Sequence, residues 1–194
     1  MRMTERMNKE PSIDSICKAI KTGPHPPPPP ADMFDPTSVM ALFLVTSEIH
    51  LLFIQKADVE GYPWANQMAF PGGHKDQTDT TTMQTALREL EEEMGIVSKN
   101  VEVIGSLGHF QTLNNKDIEA WTGVWNQADT IEFDTSEISR VIKIPLSHLI
   151  RIHTENRYHF ETPRIMQLIY PFEDVRVWGA TAKIIYHMLN LILK

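Results

Sequence analysis

Three glutamates carry the strongest chemical signal in this 194-residue chain. Glu89, Glu92 and Glu93 are spaced i, i+3 and i+4, which places them on one face of a helix. Like charges at that spacing repel one another, by roughly a few tenths of a kcal/mol per pair on an exposed helix. A divalent cation removes the repulsion. With oxygen donors and no Cys or His beside them, the suited ions are hard ones, Mg2+ or Mn2+. Alone, the run favours a solvated acidic face. Just upstream stands Pro71-Gly72-Gly73. Glycines there let a backbone approach a phosphate closely, and the N-terminus of the following helix favours anions.

The element carrying the glutamates is predicted as a helix over about Thr80 to Met94, stopped by Gly95 in the C′ position. Met83, Leu87, Leu90 and Met94 form its apolar stripe and are expected to face the core. Val39–Val45 and His50–Gln55 read as two strands joined by a turn at Thr46-Ser47-Glu48. Val101–Leu107 and Ile118–Trp125 read as another pair, turning at Asn114-Asn115. Ser136–Ser139 reads as a short helix or turn, Val141–Ile144 as a strand and Ser147–Ile152 as helical. Tyr158–Thr162 and Arg164–Tyr170 suggest a hairpin around Pro163, and about Trp178–Leu193 a final helix. Apolar residues in 184–193 serve as helix core or as a homodimer face. Strands, helix, strands, helix imply an α+β sandwich.

Eight of the 13 prolines precede residue 37. Pro26–Pro30 therefore forms a polyproline spacer, since proline lacks the N–H and has fixed φ. Before it, Ile13, Ile16, Cys17 and Ile20 fall on one face of a short helix with Ser12 as its N-cap. This amphipathic arm is expected to dock on its own domain or on a partner. Residues 1–36 are the arm and linker, and 37–194 the main domain. Removing residues 1–30 is expected to leave catalysis largely intact.

Composition limits the partners. Net charge is −7, with 42% hydrophobic and 22% charged residues, so the chain is globular and acidic. It lacks the basic stripe that polymeric nucleic acid or an anionic membrane requires. The single Cys17 excludes an internal disulfide and a multi-Cys zinc site. The longest apolar run, Val39–Val45, is far short of the roughly 18 residues of a membrane span. Met1–Glu10 has no apolar stretch resembling a signal peptide. A cytoplasmic setting is the expectation.

Gly73, Asp79 and Arg88-Glu89-Leu90-Glu91-Glu92-Glu93-Met94-Gly95-Ile96 resemble the Nudix box, Gly-x5-Glu-x7-Arg-Glu-U-x-Glu-Glu-x-Gly-U with U aliphatic. The second half matches at every fixed position. In the first, Asp79 stands where the family has Glu, and one extra residue separates it from Arg88. Phe70-Pro71-Gly72-Gly73 and Thr85-Ala86-Leu87-Arg88-Glu89 are similar to the branch that includes coenzyme A pyrophosphatases. So are Val103–Leu107 with Thr112, the segment Glu137–Leu146, and Trp178–Ala182. The branch's upstream signature, roughly Leu-Leu-x-x-Arg-Ser…His-x-Gly, is altered. Lys56 stands for Arg, and Trp64 and Asn66 for His and Gly.

The resemblance covers about residues 37–193. It implies a Nudix-like α/β/α sandwich with a mixed sheet, behind the helical arm and proline-rich linker. It also implies Mg2+- or Mn2+-dependent hydrolysis of the diphosphate in a small nucleoside diphosphate derivative: a sugar, a dinucleotide or a nucleoside triphosphate. Coenzyme A is the alternative substrate, and a non-catalytic nucleotide sensor the alternative class. Glu89, Glu92 and Glu93 match the metal ligands, with Gly73 contributing a carbonyl or serving only as a turn glycine. Arg88 orients a carboxylate. Asp79 pairs with Arg88, acts through water or caps the helix. The general base is a box glutamate, Glu92 or Glu93, or a loop carboxylate, Glu137 or Glu161. Lys56, Trp64, Gly72 and Phe110 are the substrate-binding candidates, Trp64 and Phe110 being either base-stacking or core residues. Trp121, Trp125 and Tyr158 are either core residues or base-stacking ones, and His74 and His109 are candidate phosphate contacts.

Overall fold

A computed structural model describes residues 10–30, 33–59, 65–161 and 163–194. In chain order the elements are α1 (Ile13–Thr22), β1 (Asp35–Val45), β2 (Ile49–Lys56), β3 (Met68–Ala69), β4 (Gly72–His74) and α2 (Thr82–Met94). There follow β5 (Val101–Gln111), β6 (Lys116–Trp125), β7 (Ile138–Pro145), α3 (Leu146–Glu155), β8 (Tyr170–Phe172), β9 (Val175–Val177) and α4 (Gly179–Ile192).

Period-two alternation decides which helix covers which face of the sheet. Met40, Leu42 and Leu44 of β1 and Leu52 and Ile54 of β2 pack with Ala86, Leu90 and Met94 of α2. The intervening Ala41, Phe43, Leu51 and Phe53 pack on the other side with Ile16 and Ile20 of α1 and with Ile184, Ile185, Met188 and Leu189 of α4. The result is the expected α/β/α sandwich. The sheet is mixed: β1 runs parallel to β6 and antiparallel to β2, and the central order is β3-β2-β1-β6-β5. One edge of β1 is shared, Leu42–Val45 pairing with β2 and Thr37–Val39 with β4. That second pairing brings Gly72 and Gly73 beside the sheet centre.

The glutamate helix ends at Gly95 in the left-handed conformation, φ 70°. Its core face differs from the predicted stripe. Thr85, Ala86, Leu90 and Met94 are buried, while Met83 and Leu87 are only half-buried. The small Ala86 faces the sheet in the core cluster with Leu90 and Met94. The hairpin predicted around Pro163 is absent among the described residues. Ile165–Gln167 is a single 3-10 turn, and the hairpin lies later, β8 pairing β9 around Glu173-Asp174. Tyr170, predicted as its end, is its start.

The arm docks on its own domain. Ser12 caps α1 by accepting from the Ser15 N–H, and Ile16 and Ile20 are fully buried in the main core. His25 contacts His187 of α4 at 3.2 Å, and the Pro26 carbonyl accepts from the His109 N–H at 3.0 Å. Removing residues 1–30 therefore takes Ile16 and Ile20 out of the core and is expected to cost stability, while the expectation of intact catalysis concerns the protein that stays folded. The gentler test is Ile20→Val, which removes one buried methylene and is expected to cost about 1 kcal/mol. Chemical denaturation with an unchanged m-value checks it; no loss would mean that the arm is undocked in solution. On α4 the apolar residues are spent on the core, the first of the two roles left open for 184–193. Among the described residues no helix is long and apolar enough to cross a membrane.

Candidate active site

Gly72 holds a backbone that only glycine tolerates. Its φ is +151°, and a Cβ would overlap the Ser38 carbonyl oxygen and lie 2.6 Å from the Val39 Cα. β4 thus lies flush against β1, and the Gly72 N–H donates to Glu93 Oε2 at 2.9 Å. At Gly73 an added Cβ would sit 2.5 Å from the Glu89 carboxylate carbon. Two glycines therefore let two glutamates of α2 reach the strand backbone. They open on a cleft of about 760 Å3, whose lining includes Lys56, Gly72, Gly73, Arg88, Glu89 and Glu93, with Glu137 also on its wall.

Arg88 organises the carboxylates. Its Nη2 meets Asp79 Oδ2 at 2.9 Å, and its Nη1 meets Glu89 Oε1 at 3.0 Å and Glu92 Oε2 at 2.7 Å. Nη2 also donates to the His74 carbonyl at 3.0 Å. Asp79, buried at the foot of the helix, accepts a further bond from the Asp76 N–H. The Arg88 hydrogen bond holds its carboxyl at about 2 and raises the guanidinium in return. Of the three roles open to Asp79, pairing with Arg88 is the one present. The cap is Thr81, whose hydroxyl accepts from the Gln84 N–H. Burial raises the Glu89 carboxyl, and the Arg88 hydrogen bond opposes that shift.

The three glutamates differ in exposure. Glu92 is 59% exposed, Glu89 17% and Glu93 9%. Lys56 Nζ pairs with Glu93 Oε1 at 2.7 Å. The predicted substrate residue is thus bonded to a predicted metal ligand, a pair spaced 37 residues apart. Among the described residues no three carboxylate, thiolate or imidazole side chains converge into a cation cage; Glu89 and Glu92 are paired with Arg88 and Glu93 with Lys56. The chemistry of the donor set still suits a hard cation: Glu89, Glu92 and Glu93 supply only oxygens, and the missing side chain at Gly73 lets the Glu89 carboxylate lie against the strand backbone.

Other candidates separate clearly. Phe110 is buried, packs in the core and meets the His187 ring edge-on at 5.7 Å, so it is not a cleft residue. It is the tenth residue of β5, which runs past the expected end at Leu107, and it points inward beyond two irregularities in the β5–β6 register. Trp64 lies outside the described residues. Trp125 donates to Asp129 and Trp121 to Thr82, and Tyr158 donates to the Gln167 carbonyl; all three are structural. Glu137 lines the cleft and Glu161 does not. His74 lines it too, while His109 is held by Asp117 at 2.7 Å away from it. Sequence reasoning missed Lys75, Asn114 and Lys116, which line the far end of the cleft. Lys116 arrives there only through the parallel β1–β6 pairing, in which it stands opposite Asp35.

Comparison with known proteins agrees with this geometry. The NUDIX domain family model matches residues 35–164. A Photorhabdus laumondii protein named uncharacterized Nudix hydrolase NudL is 27% identical over 84% of this chain and 89% of its own. Its Escherichia fergusonii namesake is 36% identical over 62% of this chain, and the match spans just under two thirds of that relative, 64%. Among solved structures, a MutT/nudix family protein from Enterococcus faecalis superposes with a TM-score of 0.53 at 17% identity, covering 95% of this chain and 71% of that one. The C. elegans Ap4A hydrolase binary complex gives 0.50 at 20% identity, covering 62% and 86%. These two show the likeness of fold.

Proposed function

The chain belongs to the Nudix family and is a Nudix-type pyrophosphohydrolase, and from that premise we propose that it hydrolyses the diphosphate linkage of a small nucleoside diphosphate derivative with the help of Mg2+ or Mn2+. The observation that carries the reading is the meeting of Glu89 and Glu93 with the Gly72-Gly73 backbone at one cleft. Glu89, Glu92, Glu93 and the Gly73 carbonyl are the groups that would hold the cation. When bound, it neutralises phosphate oxygens and lowers the pKa of a bound water.

The chain's own residues do the rest. Arg88 fixes the rotamers of Glu89 and Glu92 by donating to both, and Asp79 fixes Arg88. Such support keeps acidic groups aligned before substrate arrives. Glu137 lines the cleft wall, and its carboxylate is the one assigned the proton of an attacking water. The glycine backbone lets a diphosphate approach without a side chain in the way. Lys56 supplies positive charge beside Glu89 and Glu93, and Lys75 and Lys116 add to it elsewhere on the cleft wall, as an anionic substrate requires.

The substrate is chosen by groups that touch the rest of the molecule. Lysine at 56 keeps charge but lacks the fork with which arginine grips a phosphate, and here it is already engaged with Glu93. Coenzyme A is therefore expected to be a poorer substrate than a nucleoside diphosphate sugar, a dinucleotide or a nucleoside triphosphate. A panel assay with Mg2+, products identified by mass and ranked by kcat/KM, tests this. A nucleoside monophosphate or diphosphate product is expected from the best substrates. A tenfold lead for coenzyme A would overturn the substrate assignment, and no cleavage anywhere in the panel would overturn the reaction.

A further inference from the structure

Glu93 is the one glutamate of the three whose two oxygens both have protein donors among the described residues. Oε2 accepts the Gly72 N–H at 2.9 Å, and Oε1 accepts Lys56 Nζ at 2.7 Å. A cation that takes a free lone pair on Glu93 comes close to the donors already on that carboxylate, and of the two only Lys56 carries a full positive charge to oppose it. The Gly72 N–H cannot leave, because its strand is packed too closely on β1 to move. Lys56 can. Its charge is a compact ammonium on a flexible four-carbon stem. It ends β2, where the β2–β7 register shifts between Gln55 and Lys56. An ammonium in contact with one carboxylate oxygen and a divalent cation on the same carboxylate repel each other strongly at such separations.

We propose that Lys56 is a positioning residue with two alternating partners in one cleft: the Glu93 carboxylate, and the phosphate of the nucleotide once a divalent cation holds Glu93. The proposal rests on the hydrolase reading above. Lys56 and Glu93 line the same cleft as Gly72, Gly73 and Glu89, so the ammonium released from Glu93 stays where a diphosphate binds. Before loading, Lys56 limits the repulsion among the box carboxylates and keeps Glu93 turned toward Gly72. After loading, it adds to phosphate affinity. Cation and diphosphate then strengthen one another's binding beyond their direct contact, and reciprocally, as linkage requires.

The test uses the full chain and two readouts other than turnover. In the first, amine labelling of the wild-type protein is quantified by peptide mass spectrometry, with the exposed Lys18 as internal reference. Labelling at Lys56 is expected to rise at least threefold with saturating Mn2+ and to fall again when α,β-methylene-ADP is added. In the second, Mn2+ binding is followed by electron paramagnetic resonance and α,β-methylene-ADP binding by calorimetry. Lys56→Met is expected to bind Mn2+ at least fivefold more tightly without nucleotide. It should also lose at least fivefold of the enhancement that Mn2+ gives to nucleotide binding, and Lys56→Arg should recover part of that enhancement. Labelling indifferent to Mn2+, or Mn2+ tightened with the enhancement unchanged, overturns the proposal. If both readouts respond as stated and no diphosphate is cut, the hydrolase reading fails and the exchange of partners stands. The labelling arm needs no variant, so a misfolded Lys56→Met leaves the proposal open to refutation.

Discussion

Glu93→Gln is expected to lower kcat/KM by about 100-fold or more, the scale of a lost charge that stabilises a phosphoryl-transfer transition state. Volume is kept, and the glutamine carbonyl can still accept the Gly72 N–H that now binds Glu93 Oε2. What is lost is the negative charge, which the reading assigns to the cation. Glu93 is 9% exposed and bonded to Lys56, so this variant also loses some stability. Glu92→Gln separates the two effects. Glu92 is 59% exposed, and its neutralisation should cost a similar factor in rate with almost no change in melting temperature, because a solvated ion pair contributes about 1 kcal/mol or less. Steady-state rates beside thermal unfolding decide the matter. A Glu92→Gln protein that unfolds would make that glutamate structural, and one with near wild-type rate would remove it from the site.

The second large effect is expected at Gly72. Gly72→Ala asks an L residue to adopt φ +151° and drives its Cβ into the Ser38 carbonyl oxygen. Nothing there is the end of a flexible side chain, so the strand must shift, at a cost of about 3 kcal/mol or more. The shift also removes the N–H that anchors Glu93. Gly73→Ala is the informative contrast. Its Cβ meets the Glu89 carboxylate at 2.5 Å, and that side chain can swing away. The alanine at 73 should therefore fold near normally and lose activity, whereas the alanine at 72 should lose both. Equal stability for the two variants would mean that β4 is not locked on β1.

Local features were legible in the sequence because local rules govern them. The glutamate helix, its Gly95 stop, the paired strands and the Ser12-capped arm all follow from periodicity and capping. The roles of Gly72 and Gly73 were legible in kind, as close approach, though the groups they approach were not. Pairings between distant segments left no local trace. Lys56 with Glu93 joins the end of β2 to α2, and Lys116 reaches the cleft through a parallel strand pairing. Phe110 falls in the core because β5 runs on to Gln111, past the end expected at Leu107. The hairpin around Pro163 was misplaced because a short polar turn with proline is compatible with a 3-10 turn as well. Whether the arm met its own core or a partner could not follow from its apolar face alone, since Ile16 and Ile20 suit either surface.

Divalent-cation dependence is the point on which the whole account turns. The direct measurement is hydrolysis of the best panel substrate during titration with Mg2+, then with excess chelator, then with Mg2+ restored. The account predicts turnover that saturates with Mg2+, disappears in chelator and returns on reloading, with the fold unchanged by circular dichroism throughout. Equal turnover in excess chelator would contradict it, because Glu89 and Glu93 would then face an anionic substrate across the cleft with no cation between them.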